Sequence, residues 1–234
     1  ADVRQYYISV RGEEMNARIR VINRPVADLR HAFGIDDYNV DGNLSGEVHL
    51  YGRYLRPEGF GTVSLTDGVA YGESFDTALA AVRFEGEGVR LDNIQLTKNG
   101  GRGTGAAFIS WTSGSYSFNL DARNIPIESL SLARNNWFPL SGLLDFSAGG
   151  SGSFDDPRYV LKGTVRDLFA GDEGIGQVGG EIGVIQKVVT LKLEAASSRL
   201  AVSGTGRIEL TPGRDADIIF RVTDTSLDPY VRAL

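Results

Sequence analysis

The chain has 234 residues with 30 glycines and no cysteine, and its 24 basic and 30 acidic residues leave a net charge of -6. The absence of cysteine excludes disulfides, thiolate metal sites and cysteine nucleophiles, and the acidic balance opposes nucleic acid, which needs a positive face. Hydrophobic residues at 41% and charged residues at 23% describe a globular chain, and no apolar run approaches the roughly 18 residues of a membrane-spanning helix.

Taken in order, the predicted elements are almost all strands. Met15-Asn16-Ala17-Arg18-Ile19-Arg20-Val21 alternates apolar with polar residues, the signature of a strand with two unlike faces. Pro25 to Phe33 breaks that period: Val26, Leu29 and Phe33 share one helical face, and proline suits a first turn. Alternation resumes from Leu44 to Leu50 and from Gly88 to Leu91. It is cleanest in Tyr116-Ser117-Phe118-Asn119-Leu120-Asp121-Ala122-Arg123, and Pro126 then opens a second helical stretch with Ile127, Leu130 and Ala133. Further runs are Val189 to Ala195, Leu200 to Val202, Ile208 to Leu210 and Ile218 to Val222, and a third helical start stands at Leu227-Asp228-Pro229. Asp67-Gly68, Glu85-Gly86-Glu87-Gly88, Asn99-Gly100-Gly101, Ser113-Gly114 and Pro212-Gly213 read as turns between strands. This predicts an all-β antiparallel meander with short helices of two to three turns.

The pattern also recurs. Arg20-Val21-Ile22-Asn23-Arg24-Pro25 aligns with Asp121-Ala122-Arg123-Asn124-Ile125-Pro126, and Phe220 to Pro229 falls at the same phase. Leu44-Ser45-Gly46 returns as Leu140-Ser141-Gly142, and Gly103-Thr104-Gly105 as Gly204-Thr205-Gly206. The expected organisation is repeat units of about 100 residues joined by short helices. Residues 1-39 would hold the closing strands and helix of a preceding unit, 40-139 one unit, and 140-234 another truncated in its helix. A chain that opens and stops within units reads as the middle of a longer array.

Candidate chemistry is thin. Gly174-Ile175-Gly176-Gln177-Val178-Gly179 matches the dinucleotide fingerprint, but strand-like sequence follows it, so no helix N-terminus is there to meet a pyrophosphate. His31 and His49 have no second ligand at helical spacing, and no Gly-x-Ser-x-Gly elbow is present. The acidic pairs Asp36-Asp37 and Asp155-Asp156 sit in turn-like settings that account for them. No catalytic residue, cofactor or metal ligand is therefore expected. What stands out is strand parity: Ile19, Val21, Val48, Leu50, Val89, Leu91, Phe118, Leu120, Leu191, Leu193, Ile208, Leu210, Ile218 and Phe220 take the apolar parity of their strands. Pattern alone leaves two fates for that face, a closed sandwich or barrel and an open trough.

The Leu-Ser-Gly strand openings, the Asp155-Asp156-Pro157 turn, the Gly-Thr-Gly strands and the Asn124-Ile125-Pro126-Ile127-Glu128-Ser129-Leu130 helix start, in this order and phase, resemble the TamB/AsmA-like family. The resemblance extends over essentially the whole chain. It implies a twisted, U-shaped open β-groove in a periplasmic protein whose parent chain is anchored in the inner membrane. The parity residues would then line a groove that conducts phospholipid acyl chains between inner and outer membranes and supports outer-membrane biogenesis. The alternative it implies is a scaffold that assists outer-membrane protein assembly or secretion with an Omp85-class partner, without carrying lipid.

Overall fold

A computed structural model describes residues 8-11, 14-33, 39-134, 139-196, 201-210 and 215-223. The third helical start at Leu227 and the acidic pair Asp36-Asp37 lie outside them. The chain forms two compact units, residues 1-118 and 119-234, and both are antiparallel meanders.

In the first unit the strands are β1 (Ile8–Arg11), β2 (Glu14–Pro25), β3 (Val40–Arg53), β4 (Arg56–Ala70), β5 (Glu73–Glu85), β6 (Gly88–Lys98) and β7 (Gly101–Ser110). Helix α1 (Val26–Phe33) follows β2, with Asp28 in its first turn and Arg30 and His31 in its last, which suits the helix dipole. Strand β8 (Ser115–Pro126) carries the chain into the second unit. There it is followed by β9 (Leu140–Ser153), β10 (Tyr159–Ala170), β11 (Glu173–Ile185), β12 (Val188–Ala196), β13 (Ala201–Glu209) and β14 (Ala216–Thr223). From β1 to β7 and from β9 to β14, each strand pairs with the next in the sequence. The strand order is linear throughout, so the sheet does not close on itself.

Two local expectations change in detail. Asp67-Gly68 is not a reversal: it lies inside β4, where Asp67 takes φ 50 and the β3–β4 register shifts between Asp41 and Asn43. The chain turns at Tyr71-Gly72 instead, with φ 50 and 86. The reason is that a left-handed Asx residue serves a β-bulge as readily as a turn. The helical stretch after Pro126 is also shorter than expected. Leu130 is extended, at φ -79 and ψ 142, and it separates a 3-10 turn at Ile127–Ser129 from the single-turn α2 (Ser131–Arg134).

Strands pack chiefly against their hydrogen-bonded neighbours, α1 lies against β2 and β3, and the 3-10 turn at Ile127–Ser129 lies against β9. Burial is shallow. No described side chain is below 2% exposed, and the buried apolar set is Ala17, Ala80, Val82, Ala122, Ile125, Ile127, Val184 and Ala195. Half of these are alanines, buried by crowding along the sheet rather than by a packed interior.

Candidate functional site: the apolar face

Directly opposed residues in an antiparallel ladder share a face, so register fixes which side chains lie together. In the first unit Ile19 faces Val48, Ala17 faces Leu50, and Val21 faces Gly46. Leu50 then faces Gly59 and Val48 faces Gly61. These face Phe84 and Val82, which meet Val89 and Leu91. Leu91 and Val89 meet Ala107 and Ile109, while Ile94 and Leu96 meet Gly105 and Gly103. Within these stretches one face of the sheet carries no charged residue. Lys98 ends it, buried against Glu73 at 3.4 Å and the Ser74 carbonyl.

The second unit also has an apolar face. Phe146 faces Gly163, which faces Gly180, which faces Leu193. Leu193 faces Gly204 and Leu191 faces Gly206, and these face Phe220 and Ile218. Val189 meets Ile208. Phe118 and Leu120 are half-buried in β8, alternating with exposed Ser117, Asn119 and Asp121. Leu210 stands just past the end of β13 and is exposed, its N–H donating to the Lys187 carbonyl at 2.8 Å. Ile218 and Phe220 are exposed too, because all eight residues of β14 are.

Sequence alternation misses part of this face. Gly59, Gly61, Gly103, Gly105, Gly204 and Gly206 occupy apolar-face positions that a search for bulky residues passes over. The available signal is glycine recurring at the same parity as the neighbouring valines and leucines. The close approach at β3–β4 requires it. A Cβ at Gly46 would lie 2.6 Å from the Thr62 carbonyl oxygen, and at Gly59 and Gly61 it would fall still closer to the His49 and Glu47 carbonyls. These positions point to the apolar side, and the crowding leaves room there for glycine alone.

The opposite face is polar and laced with ion pairs, across strands between Arg83 and Asp92 at 3.1 Å and between Lys162 and Glu181 at 3.2 Å, and along β12 between Lys192 and Glu194 at 2.8 Å. Such exposed pairs contribute little to stability but keep that face wetted. Arg90 donates to Glu85 at 2.8 Å, holding the Glu85 carboxyl below its usual value, and stacks on Phe108 at 4.9 Å. In the second unit this face has a shallow depression of about 550 Å³ lined by Asp121, Arg123, Asp145, Lys162, Glu181 and Lys192. With Glu194 it is lined by four carboxylates and three cationic groups, so both signs of charge are interleaved there.

Where β8 ends, the Asn124 N–H, at φ 55, donates to Asp145 Oδ1 at 2.7 Å, and Arg166 Nε donates to Asp145 Oδ2 at 3.1 Å. The Asn124 N–H, and secondarily Arg166, hold the Asp145 carboxyl below its ordinary value against the opposing effect of burial. Where β2 ends, the N–H of Asn23, at φ 48, donates to Ser45 Oγ at 2.9 Å.

The residues weighed for chemistry lie apart. His49 is bonded to Asn16 at 2.8 Å between the rings of Tyr51 and Phe60, while His31 is an exposed residue of α1. Asp156 pairs with its neighbour Arg158 at 2.8 Å. Gly174 to Gly179 runs within β11, a strand. Among the described residues no three His, Asp or Glu side chains gather as a metal site would require. No helix of the described residues is long and apolar enough to cross a membrane. No protein-family model, curated protein or solved structure matches the chain.

Proposed function

We propose that this chain is a periplasmic segment of a TamB/AsmA-like envelope protein, whose apolar sheet face carries phospholipid acyl chains between the inner and outer membranes. The observation that carries the proposal is a sheet face free of charge over successive strands, on which no described side chain is fully buried. An acyl chain of about 16 carbons costs roughly 13 kcal/mol to expose to water, at about 0.8 kcal/mol per methylene. A carrier must therefore offer continuous apolar contact rather than a few convergent polar groups.

Element spacing supports reading the chain as an array. Strands β3 and β9 both have 14 residues, beginning at Val40 and Leu140, and β5 and β11 both have 13, beginning at Glu73 and Glu173. Each repeat would lengthen the same apolar floor, with short helices between repeats and headgroups at the wet rim. Ile19, Val48, Leu91, Leu120, Leu193 and Phe220 are among the residues that would touch the chains. No catalysis is assigned to the chain.

Site-specific photo-crosslinking in cells tests this, with benzoylphenylalanine at Leu193 and at its neighbour Lys192. Phospholipid adducts at 193 and none at 192 are expected. Adducts at neither position would overturn the conduit and leave the scaffold, acting beside an Omp85-class partner, as the better account.

A further inference from the structure

Strand β14 pairs with β13 on one side, and among the described residues no strand pairs with its other side. All eight of its residues are exposed, with Ile218 at 44%, Ile219 at 62%, Phe220 at 61% and Val222 at 49%. Proteins ordinarily blunt such an edge with proline, lysine, a bulge or a very short strand. Here there is no proline, no lysine and no register shift against β13. Ile219 is the odd member. It lies opposite Thr205 on the polar side, between Asp217 and Arg221, where nothing in the unit covers it.

We infer that β14 is a self-association edge, pairing antiparallel with β14 of a second copy of this chain about a two-fold axis at Ile219. Such an isologous pairing opposes each residue to the one equally far beyond the axis on the other copy. Asp217 then stands opposite Arg221 of the second copy, and Arg221 opposite its Asp217, so each charge on the polar face meets its complement. Ile219 meets its own counterpart between these two pairs. On the apolar face Ile218 meets Phe220 and Ala216 meets Val222. Moving the axis to 218 or 220 sets Asp217 against Ile219 or Thr223 instead, and the match is lost. The axis stands perpendicular to the sheet, so the apolar faces of the two copies lie on the same side. Head-to-tail pairing of β14 with β1 lacks this complementarity. Strand β1 reads Ile8-Ser9-Val10-Arg11, with no acid to meet Arg221.

Size-exclusion chromatography with light scattering, on the full chain over a dilution series, tests this. A dimer that dissociates on dilution is expected. Asp217→Arg alone and Arg221→Asp alone each set like charges opposite one another, and each should weaken dimerisation by about tenfold or more. The exchange Asp217→Arg with Arg221→Asp rebuilds the match and should restore the dimer. All these sites are exposed, so the fold should survive each change. The chain has no native cysteine, so a single one reports the register. Ile219→Cys, opposed to itself across the axis, should form an intermolecular disulfide on mild oxidation, because directly opposed Cα atoms lie within disulfide reach. Ala216→Cys, whose counterpart sits at the far end of the opposing strand, should not. A monomeric wild type, a dimer indifferent to the single charge changes, an exchange variant that stays monomeric, or equal crosslinking at 216 and 219 would overturn the inference. Assemblies growing beyond the dimer would overturn it too, in favour of head-to-tail pairing. Lipid enters none of these readouts, so their outcome is separate from that of the conduit.

Discussion

The β3–β4 pair of the first unit and the β10–β11 pair of the second are both rich in glycine, and glycine does different work in each. At Gly46 an added Cβ would reach the Thr62 carbonyl at 2.6 Å, and Gly59 and Gly61 are tighter still. At Gly163 and Gly180 the nearest atoms would be 3.3 Å away, and at Gly179 they would be 3.9 Å away. The first set is a steric necessity of close backbone approach. The second is looser: Gly179 has only ordinary contacts, while at Gly163 and Gly180 a neighbour would have to give by a few tenths of an ångström. Composition alone therefore does not reveal which glycines are required; the distance from each to the neighbouring backbone does.

The largest expected effect breaks the first region. Gly59→Val would drive a branched side chain into the His49 carbonyl on the neighbouring strand, and the pair would have to separate. A loss of about 3 kcal/mol in urea unfolding is expected, as for severe overpacking. Gly179→Val at an open position should cost under about 1 kcal/mol. Equal losses at the two sites would remove the distinction.

A smaller effect sharpens the account of the apolar face. Leu191→Asp places a carboxylate on a half-buried position of this face. The charge keeps access to water, so the cost should be about 1–2 kcal/mol, well below that of an unpaired buried charge. A loss of all cooperative unfolding would mean that something covers this face.

The two strand ends offer a comparison that pH can read. The Asn124 amide is held by the Asp145 carboxylate, whereas the Asn23 amide is held by the Ser45 hydroxyl. Asp145 is depressed from an ordinary value of 3.8, so its stabilisation is complete above that value. It is lost as pH falls through the lower folded value. Amide exchange at Asn124 should therefore lose protection in acid, while the Ser45-bound Asn23 should not respond through its acceptor. Asp145→Ser should abolish the acid sensitivity at a cost of about 1 kcal/mol at neutral pH, discounted for partial exposure.

Much of this was legible in the sequence, and the misses have physical causes. Alternation in Met15 to Val21 and Val189 to Ala195 fixes face and strand together, because a one-residue slip would invert every side chain. It fails at Phe60, which is apolar yet faces the polar side opposite His49, because the apolar positions beside it are glycines. Asp67-Gly68 failed as a turn because a left-handed residue does not say whether the chain reverses or bulges. The Tyr54-Leu55 turn was invisible because no turn signal marks it. The close backbone approach between β3 and β4 is an interatomic distance, which no pattern encodes.

The smallest effect is the most discriminating. Gly179→Ala meets only atoms 3.9 Å or more away, which is ordinary contact, so the added methyl costs nothing sterically. Replacing glycine in a strand restricts the unfolded chain, and about 0.5 kcal/mol of stabilisation is expected. Gly46→Ala adds the same methyl and the same unfolded-state restriction, but the methyl would meet the Thr62 carbonyl at 2.6 Å. The unfolded-state effect is common to both variants, so the difference between their urea midpoints isolates the steric one. Stabilisation at 179 with destabilisation at 46 would show that the close backbone approach at β3–β4 requires glycine. The same sign at both would mean that the ladder there relaxes freely, and glycine would then not be a steric requirement of that strand pair.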